Sequence, residues 1–230
     1  MPELPEVEVT RRSLDGPLQG ARILAVCLGI HRYLPLGCDP GERLVGRTIG
    51  PIARRGKYLW MPLADAQGAA DGGLLLHLGM SGSLALHGQA PPPAGAHDHV
   101  EIQTTRGTLR LTDPRRFGAV VWSPSLAEDP ARKLLQSLGH EPFDEALTPE
   151  FLHAALQRRR APIKPVLMAG DIVVGAGNIY ACEALFEAGI HPALRADRLS
   201  RPRAARLLAA VRSTLARALA LGGSTLRDFH

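Results

Sequence analysis

The spacing of apolar positions changes once along the chain. Up to Trp122 they come in short runs, at residues 22–30, 44–52, 57–63, 73–80, 99–105, 109–111 and 118–122. Gly, Pro and Asp fall between the runs and mark turns. In the run 99–105, Val100, Ile102 and Thr104 share one face, the alternation of a half-buried strand. Short strands at this spacing predict an antiparallel sandwich or barrel. Residues 64–73 and 89–95 (QAPPPAG) read as loops. Past Ser123-Pro124 the spacing becomes helical, over 128–138, 148–159, 164–169, 179–187 and 201–221. Thr148-Pro149-Glu150 offers a cap and a proline in the first turn. Ser200 is expected to cap the last helix, where Leu207, Leu208, Val211, Leu215 and Leu219 form an apolar stripe.

One further helix is predicted at the start, from near Pro5 through Val7, Arg11 and Leu14 to Asp15-Gly16. Pro5 tolerates the first turn, and Glu6 and Glu8 suit its positive dipole end. The expected fold class is therefore α+β. Residues 1–123 form an N-terminal antiparallel β-sandwich with an N-terminal helix, and residues 124–230 form an α-helical domain, with a cleft between them. No internal repeat is present.

Composition narrows the function. Hydrophobic residues make up 45 %, as in a soluble protein. The net charge is +5 and the pI about 9.6. Of 27 basic residues only Lys57, Lys133 and Lys164 are lysines. The planar fork of arginine suits phosphate, which makes nucleic acid the first partner to consider. A bias toward Arg and Ala, visible in Arg203-Ala204-Ala205-Arg206, explains the same excess, so charge alone does not decide. Cys27, Cys38 and Cys182 are scattered, with no Cys-x-x-Cys, which supports neither a disulfide framework nor a Cys-rich zinc site. No apolar run spans a membrane and no signal peptide precedes the first helix, so the chain reads as cytosolic.

Six stretches could carry chemistry. Removal of Met1 would leave Pro2 with a secondary α-amine, partly neutral near pH 7 and able to attack an aldehyde-like carbon. The resulting iminium cannot deprotonate at nitrogen and acts as an electron sink, while Glu3 stands beside it to move protons. By itself the same stretch describes an ordinary capped helix. Arg54-Arg55-Gly56-Lys57-Tyr58 is a phosphate site or a solvated basic hairpin. His77-Leu78-Gly79-Met80-Ser81-Gly82 ends an apolar strand, where a lone His is commonly a satisfied core residue. Thr112-Asp113-Pro114-Arg115-Arg116-Phe117-Gly118 is a turn whose Phe either wedges into a duplex or packs inward. Lys164 opens a helix after Pro162. Gly175-Ala176-Gly177-Asn178-Ile179-Tyr180 leads into another, whose backbone N–H groups could bind phosphate or simply be capped.

These stretches, in this order, resemble the bacterial formamidopyrimidine-DNA glycosylases. The start Pro2-Glu3-Leu4-Pro5-Glu6-Val7-Glu8 is similar to theirs, and VVGAGNIYACEALFEAGIHP resembles their helix-two-turn-helix unit. The resemblance implies a DNA repair glycosylase with AP lyase activity. It would excise oxidised purines such as 8-oxoguanine and formamidopyrimidines through a Schiff base on Pro2, followed by β- and δ-elimination. It implies catalytic roles for Pro2, Glu3 and Lys57, and DNA contacts from His77, Arg115, Lys164 and Asn178. Met80, Arg115 and Phe117 would fill the void left by the extruded nucleotide. The implied partner is double-stranded DNA holding an oxidised purine or abasic site, for a cytoplasmic, nucleoid-associated monomer.

Gly222-Gly223-Ser224-Thr225-Leu226-Arg227-Asp228-Phe229 resembles the family's last segment before a four-cysteine zinc finger. Beyond it the sequence has no finger, so the expectation is no cofactor in this chain, weak duplex binding and poor excision. Two alternatives stand beside this reading. One is an endonuclease VIII-like glycosylase for oxidised pyrimidines, against which Leu4 argues, since that class resembles Pro-Glu-Gly-Pro at its start. The other is a catalytically impaired DNA-binding remnant, which would bind an abasic duplex without forming a borohydride-trapped adduct.

Overall fold

A computed structural model describes residues 2–29 and 37–223. The processing of Met1, the end of the first expected strand at Ile30, and the segment from Ser224 to His230 lie outside the described residues. The described chain divides into two compact units. One holds Pro2 and Val7–Gln136, the other Glu3–Glu6 and the residues from Ser137 onward. This division comes later in the chain than the change of pattern at Ser123-Pro124.

The first unit takes most of helix α1 (Leu4–Leu18) and two antiparallel sheets. Its strands are β1 (Ile23–Leu28), β2 (Thr48–Ile49), β3 (Ala53–Arg55), β4 (Tyr58–Ala64), β5 (Ala70–His77), β6 (Ser83–His87), β7 (Asp98–Thr104), β8 (Gly107–Thr112) and β9 (Ala119–Ser123). Two short helices, α2 (Pro40–Arg43) and α3 (Ala131–Leu135), complete it. One sheet has the order β1-β7-β8-β6, the other β2-β4-β5-β9 with β3 paired to β4. Alternate side chains of both sheets meet in one core. Ile23, Val100, Ile102, Leu109 and Leu111 come from the first sheet, and Leu59, Met61, Leu76 and Val120 from the second. Val7, Leu14 and Leu18 of α1 join the same core. This is the expected sandwich with its N-terminal helix.

Several boundaries differ from the sequence reading. The run 44–52 is not one strand. Leu44 closes α2, Gly46 takes φ +83°, and only Thr48–Ile49 is extended. A left-handed residue breaks the pleat, whatever its neighbours prefer. The loop placed at 64–73 is shorter, because β4 reaches Ala64 and β5 begins at Ala70. Strand β6 was not anticipated, although Leu84 and Leu86 alternate within it. The helix expected over 128–138 shrinks to α3.

The second unit contains α4 (Pro149–Leu156), α5 (Ile163–Ala169), α6 (Asn178–Glu187), a 3₁₀ turn at Ala196–Arg198 and α7 (Arg201–Ala220). Thr148 Oγ1 accepts the Phe151 N–H at 3.1 Å, as a cap should. Ser200 has the extended backbone of a cap residue, but its side chain makes no capping hydrogen bond. Leu152, Leu156, Ile163, Leu167, Tyr180, Leu185, Leu207, Leu208, Val211 and Leu215 pack together, and the stripe on α7 is the largest contributor. Residues 170–177 join α5 to α6 and bring the start of α6 to the head of the chain.

Candidate catalytic terminus and nucleic-acid interface

The first turn of α1 is held by its own carboxylates. Glu6 Oε2 accepts the Glu3 N–H at 2.9 Å, the reciprocal half of a capping box with Glu3 at the cap position. Glu6 Oε1 accepts the Tyr180 hydroxyl at 2.6 Å. The peptide that follows Pro2 is thereby fixed, and Pro2 and Glu3 are both buried. Glu6 was read from sequence only as a dipole-compatible residue. Its spacing from Glu3 was the available signal, and Tyr180 had none.

Glu3 then caps the turn that leads into α6. Its carboxylate accepts N–H bonds from Gly177 at 2.5 Å, Ile179 at 2.8 Å and Tyr180 at 3.2 Å. These are donors that the first turn of a helix leaves without intrahelical partners, at the positive end of the α6 dipole. Of the two readings of this turn, phosphate site or plain cap, the structure shows the cap, supplied by a carboxylate of the same chain. The glycines serve this seat. A Cβ on Gly177 would lie 2.5 Å from Glu3 Cδ, and one on Gly175, at φ +98°, would lie 2.4 Å from Leu4 Cδ1. Asn178, the first residue of α6, is exposed, and Lys164, near the start of α5, is half-buried.

In the first unit, Gly56 takes φ +57° in the tight turn between β3 and β4, and Lys57 follows it. Tyr58 pairs with His77 across the β4–β5 ladder, their rings 4.7 Å apart. His77 Nδ1 accepts the Gly79 N–H at 3.1 Å, so a neutral ring carries its proton on Nε2 and presents a donor there. Burial, and then the charge of Lys57, hold His77 below the usual histidine pKa. His77 is thus half-buried with a polar edge, not a core residue.

Met80, Arg115 and Phe117 stand on two loops that are tied to each other. Gly79, at φ +63°, approaches the chain so closely that a Cβ would lie 2.4 Å from the Phe117 carbonyl carbon. Asp113, fully buried, is the tie. Its Oδ1 accepts the Ser81 hydroxyl at 2.6 Å and its Oδ2 accepts the Gly118 N–H at 2.9 Å. The Arg115 N–H donates to Ser81 Oγ at 3.1 Å. Arg116 is forced to φ 58°, a costly conformation for a residue with a Cβ. The loops leave Met80 40 % and Phe117 57 % exposed, with the Arg115 guanidinium 5.0 Å from the Phe117 ring centre. Phe117 does not pack inward. Sequence reading missed the part played by Asp113, although an Asp before Pro in a turn is a common side-chain acceptor.

A second carboxylate organises the basic residues. Glu8 Oε1 accepts from Arg12 Nε at 2.9 Å and Arg11 Nη2 at 3.0 Å, and Oε2 accepts from Arg54 Nε at 3.1 Å. Burial raises its pKa, but the hydrogen bonds and charges of the arginines outweigh that and hold it at about 2, against an ordinary 4.5. A carboxyl depressed in the folded state stabilises the fold above its unfolded pKa, and the gain is lost as pH falls through the folded value. Glu8→Gln should therefore cost up to about 3 kcal/mol near neutral pH. The gap to the unmodified protein should close between about pH 5 and pH 2. Denaturant melts of both proteins across that range check this, and a gap independent of pH would show that the ion cluster adds nothing.

Among the described residues no group of three or more His, Cys, Asp or Glu side chains could hold a metal ion. No described helix is long and apolar enough to cross a membrane.

Comparison with known proteins adds to this geometry. Residues 1–120 match the family model for the formamidopyrimidine-DNA glycosylase N-terminal domain, and residues 138–230 match that for the formamidopyrimidine-DNA glycosylase H2TH domain. The chain is similar to the formamidopyrimidine-DNA glycosylase of Albidiferax ferrireducens, with 59 % identity over 230 residues, covering 100 % of this chain and 82 % of that protein. The enzyme of Acidovorax sp. strain JS42 is 53 % identical over 229 residues, with 100 % and 82 % covered. Among solved structures, the Lactococcus lactis Fpg in complex with an abasic site containing DNA superposes with a TM-score of 0.89 at 32 % identity, covering 98 % of this chain and 81 % of that one. MutM in complex with carbocyclic 8-oxo-G containing DNA gives a TM-score of 0.89 at 32 % identity, covering 99 % and 83 %.

Proposed function

The chain belongs to the formamidopyrimidine-DNA glycosylase family, and on that premise we propose that it is a DNA repair glycosylase that excises oxidised purines from duplex DNA and cleaves the strand at the resulting abasic site. Pro2 is its nucleophile. The proline nitrogen attacks C1′ of the flipped nucleotide, the C1′–base bond breaks with its electrons leaving on the base, and the sugar ring opens to an iminium. Loss of a C2′ proton then expels the 3′ phosphate, and a second elimination expels the 5′ phosphate. Glu3 moves the protons for ring opening and elimination.

The seat of Glu3 carries this reading. Three backbone donors fix its carboxylate, and Glu6 fixes the peptide between it and Pro2. Such a terminus is preorganised, where a merely capped helix would leave its first residues to fray. Lys57 assists the reaction at the lesion as well as meeting the DNA backbone, the Nε2 of His77 supplies a neutral donor for the backbone, and Lys164 and Asn178 are further contacts. The exposure of Phe117 beside Arg115 fits a wedge that stacks in the base step while the guanidinium meets the orphaned base.

Borohydride trapping on a duplex with an abasic site is the decisive experiment. A covalent adduct is expected, together with release of 8-oxoguanine from a matched duplex. Tight binding with no adduct would refute the lyase, and release of oxidised pyrimidines alone would refute the purine assignment. The wedge has its own test. Phe117→Ala should change folding stability by no more than about 0.5 kcal/mol, as for other exposed positions. Single-turnover base release should nevertheless fall about tenfold, because the extruded base is no longer replaced in the stack. A wild-type rate in that variant would remove Phe117 from the mechanism.

A further inference from the structure

We infer that Glu8 is a positioning residue for Lys57, fixing the turn that bears the lysine to the helix that begins just after Pro2. This rests on the reading of Lys57 given above. The link is continuous in hydrogen bonds. Glu8, on α1 and 8 % exposed, accepts Arg54 Nε, and Arg54 Nη1 donates to the Gly56 carbonyl at 3.0 Å. Gly56 is the left-handed residue of the turn, and its carbonyl belongs to the peptide that ends at Lys57 N. Rotation of that peptide would move the base of the lysine side chain.

The other end of β3 is clamped to the same helix. Arg11, which shares Glu8, donates to the Ile52 carbonyl at 3.2 Å and to Asp15 Oδ2 at 3.2 Å. Asp15 Oδ1 accepts the Ile52 N–H at 2.7 Å. Strand β3 is three residues long and, among the described residues, pairs only with β4. A strand so short gets little hold from its ladder, so these polar clamps fix its place on α1. An exposed ion pair would contribute little, but Glu8 and Arg54 are 11 % and 15 % exposed at the side chain and hold a single geometry. The turn also reaches β5, since the Tyr58 ring meets that of His77 at a tilt, their centres 4.7 Å apart.

The test is a double-mutant cycle in the full chain, read as single-turnover base release and as equilibrium binding to an abasic-site duplex. Glu8→Gln should slow release about tenfold to a hundredfold, the scale of a misplaced functional group, while affinity changes less than about threefold. In a Lys57→Met background, which is itself slow, Glu8→Gln should add less than about twofold, because its effect runs through the lysine. Arg54→Gln should behave like Glu8→Gln and serves as the test if the latter fails to fold. It leaves Glu8 paired with Arg11 and Arg12. A full Glu8→Gln effect in the Lys57→Met background, or wild-type rates for both Glu8→Gln and Arg54→Gln, would overturn the inference. A Lys57→Met protein with the wild-type rate would instead refute the role of Lys57, and this inference with it.

Discussion

Pro2→Gly is expected to lower base release by on the order of a thousandfold, less than the roughly millionfold loss on removing a covalent nucleophile outright, while leaving duplex binding nearly intact. Glycine keeps an α-amine, so some attack persists. It is a primary amine, however, and its imine can lose the proton that keeps the electron sink charged. It also frees φ at the terminus, where the proline ring limits the approach of the nitrogen. The hydrogen bond from Glu3 N to Glu6 is unaffected in kind, so the loss reports on the amine and not on the turn. Borohydride trapping and single-turnover release measure it, with intact mass to show which residue is terminal. Undiminished excision by a protein proved to retain Met1 would sink the N-terminal nucleophile.

Glu3→Gln should be nearly as damaging, and in two ways. The carboxylate now receives three N–H groups, Gly177 and Tyr180 on one oxygen and Ile179 on the other. A glutamine must turn its NH₂ toward one of these sets, so donor faces donor. At least one buried bond is lost and the charge at the α6 N-terminus goes with it. A loss of about 2–3 kcal/mol in stability is expected without any DNA present. Trapping should fall with it, while affinity for an abasic duplex holds within the folded fraction. A protein that melts and traps like the original would show that Glu3 neither caps α6 nor moves protons.

The parts of the fold written in local pattern were legible. Val100, Ile102 and Thr104 alternate and are buried as expected, and the stripe of Leu207, Leu208, Val211 and Leu215 lies in the helical core. Thr148 caps because its spacing to Phe151 is local. Strand β6 escaped because Gly82 and Gly88 bracket so few residues that turn signals outweigh the alternation of Leu84 and Leu86. The candidate site was legible as residue types and not as connections. Phe117 could be read as wedge or core, and only its exposure separates them. Asp113 and Glu8 looked like ordinary acids because these partners lie far along the chain, 32 positions away at Ser81 and 46 at Arg54. The glycines of Gly175-Ala176-Gly177 looked like a phosphate cradle. The same flexibility and open donors suit a carboxylate from the far end of the chain, which no local pattern announces.

That seat also has a timetable. Glu3 and Gly177 are 174 positions apart, so the partner of Glu3 does not exist when the first residues leave the ribosome. At about 5–20 residues per second, synthesis of the intervening chain takes roughly 10–35 s. Throughout that interval the first residues cannot be buried against α6, and an aminopeptidase meets an open end. Once Gly177, Ile179 and Tyr180 have closed on Glu3, the end is sheathed. Trimming back to Pro2, which the proposed chemistry requires, would find the first residues open only before that closure.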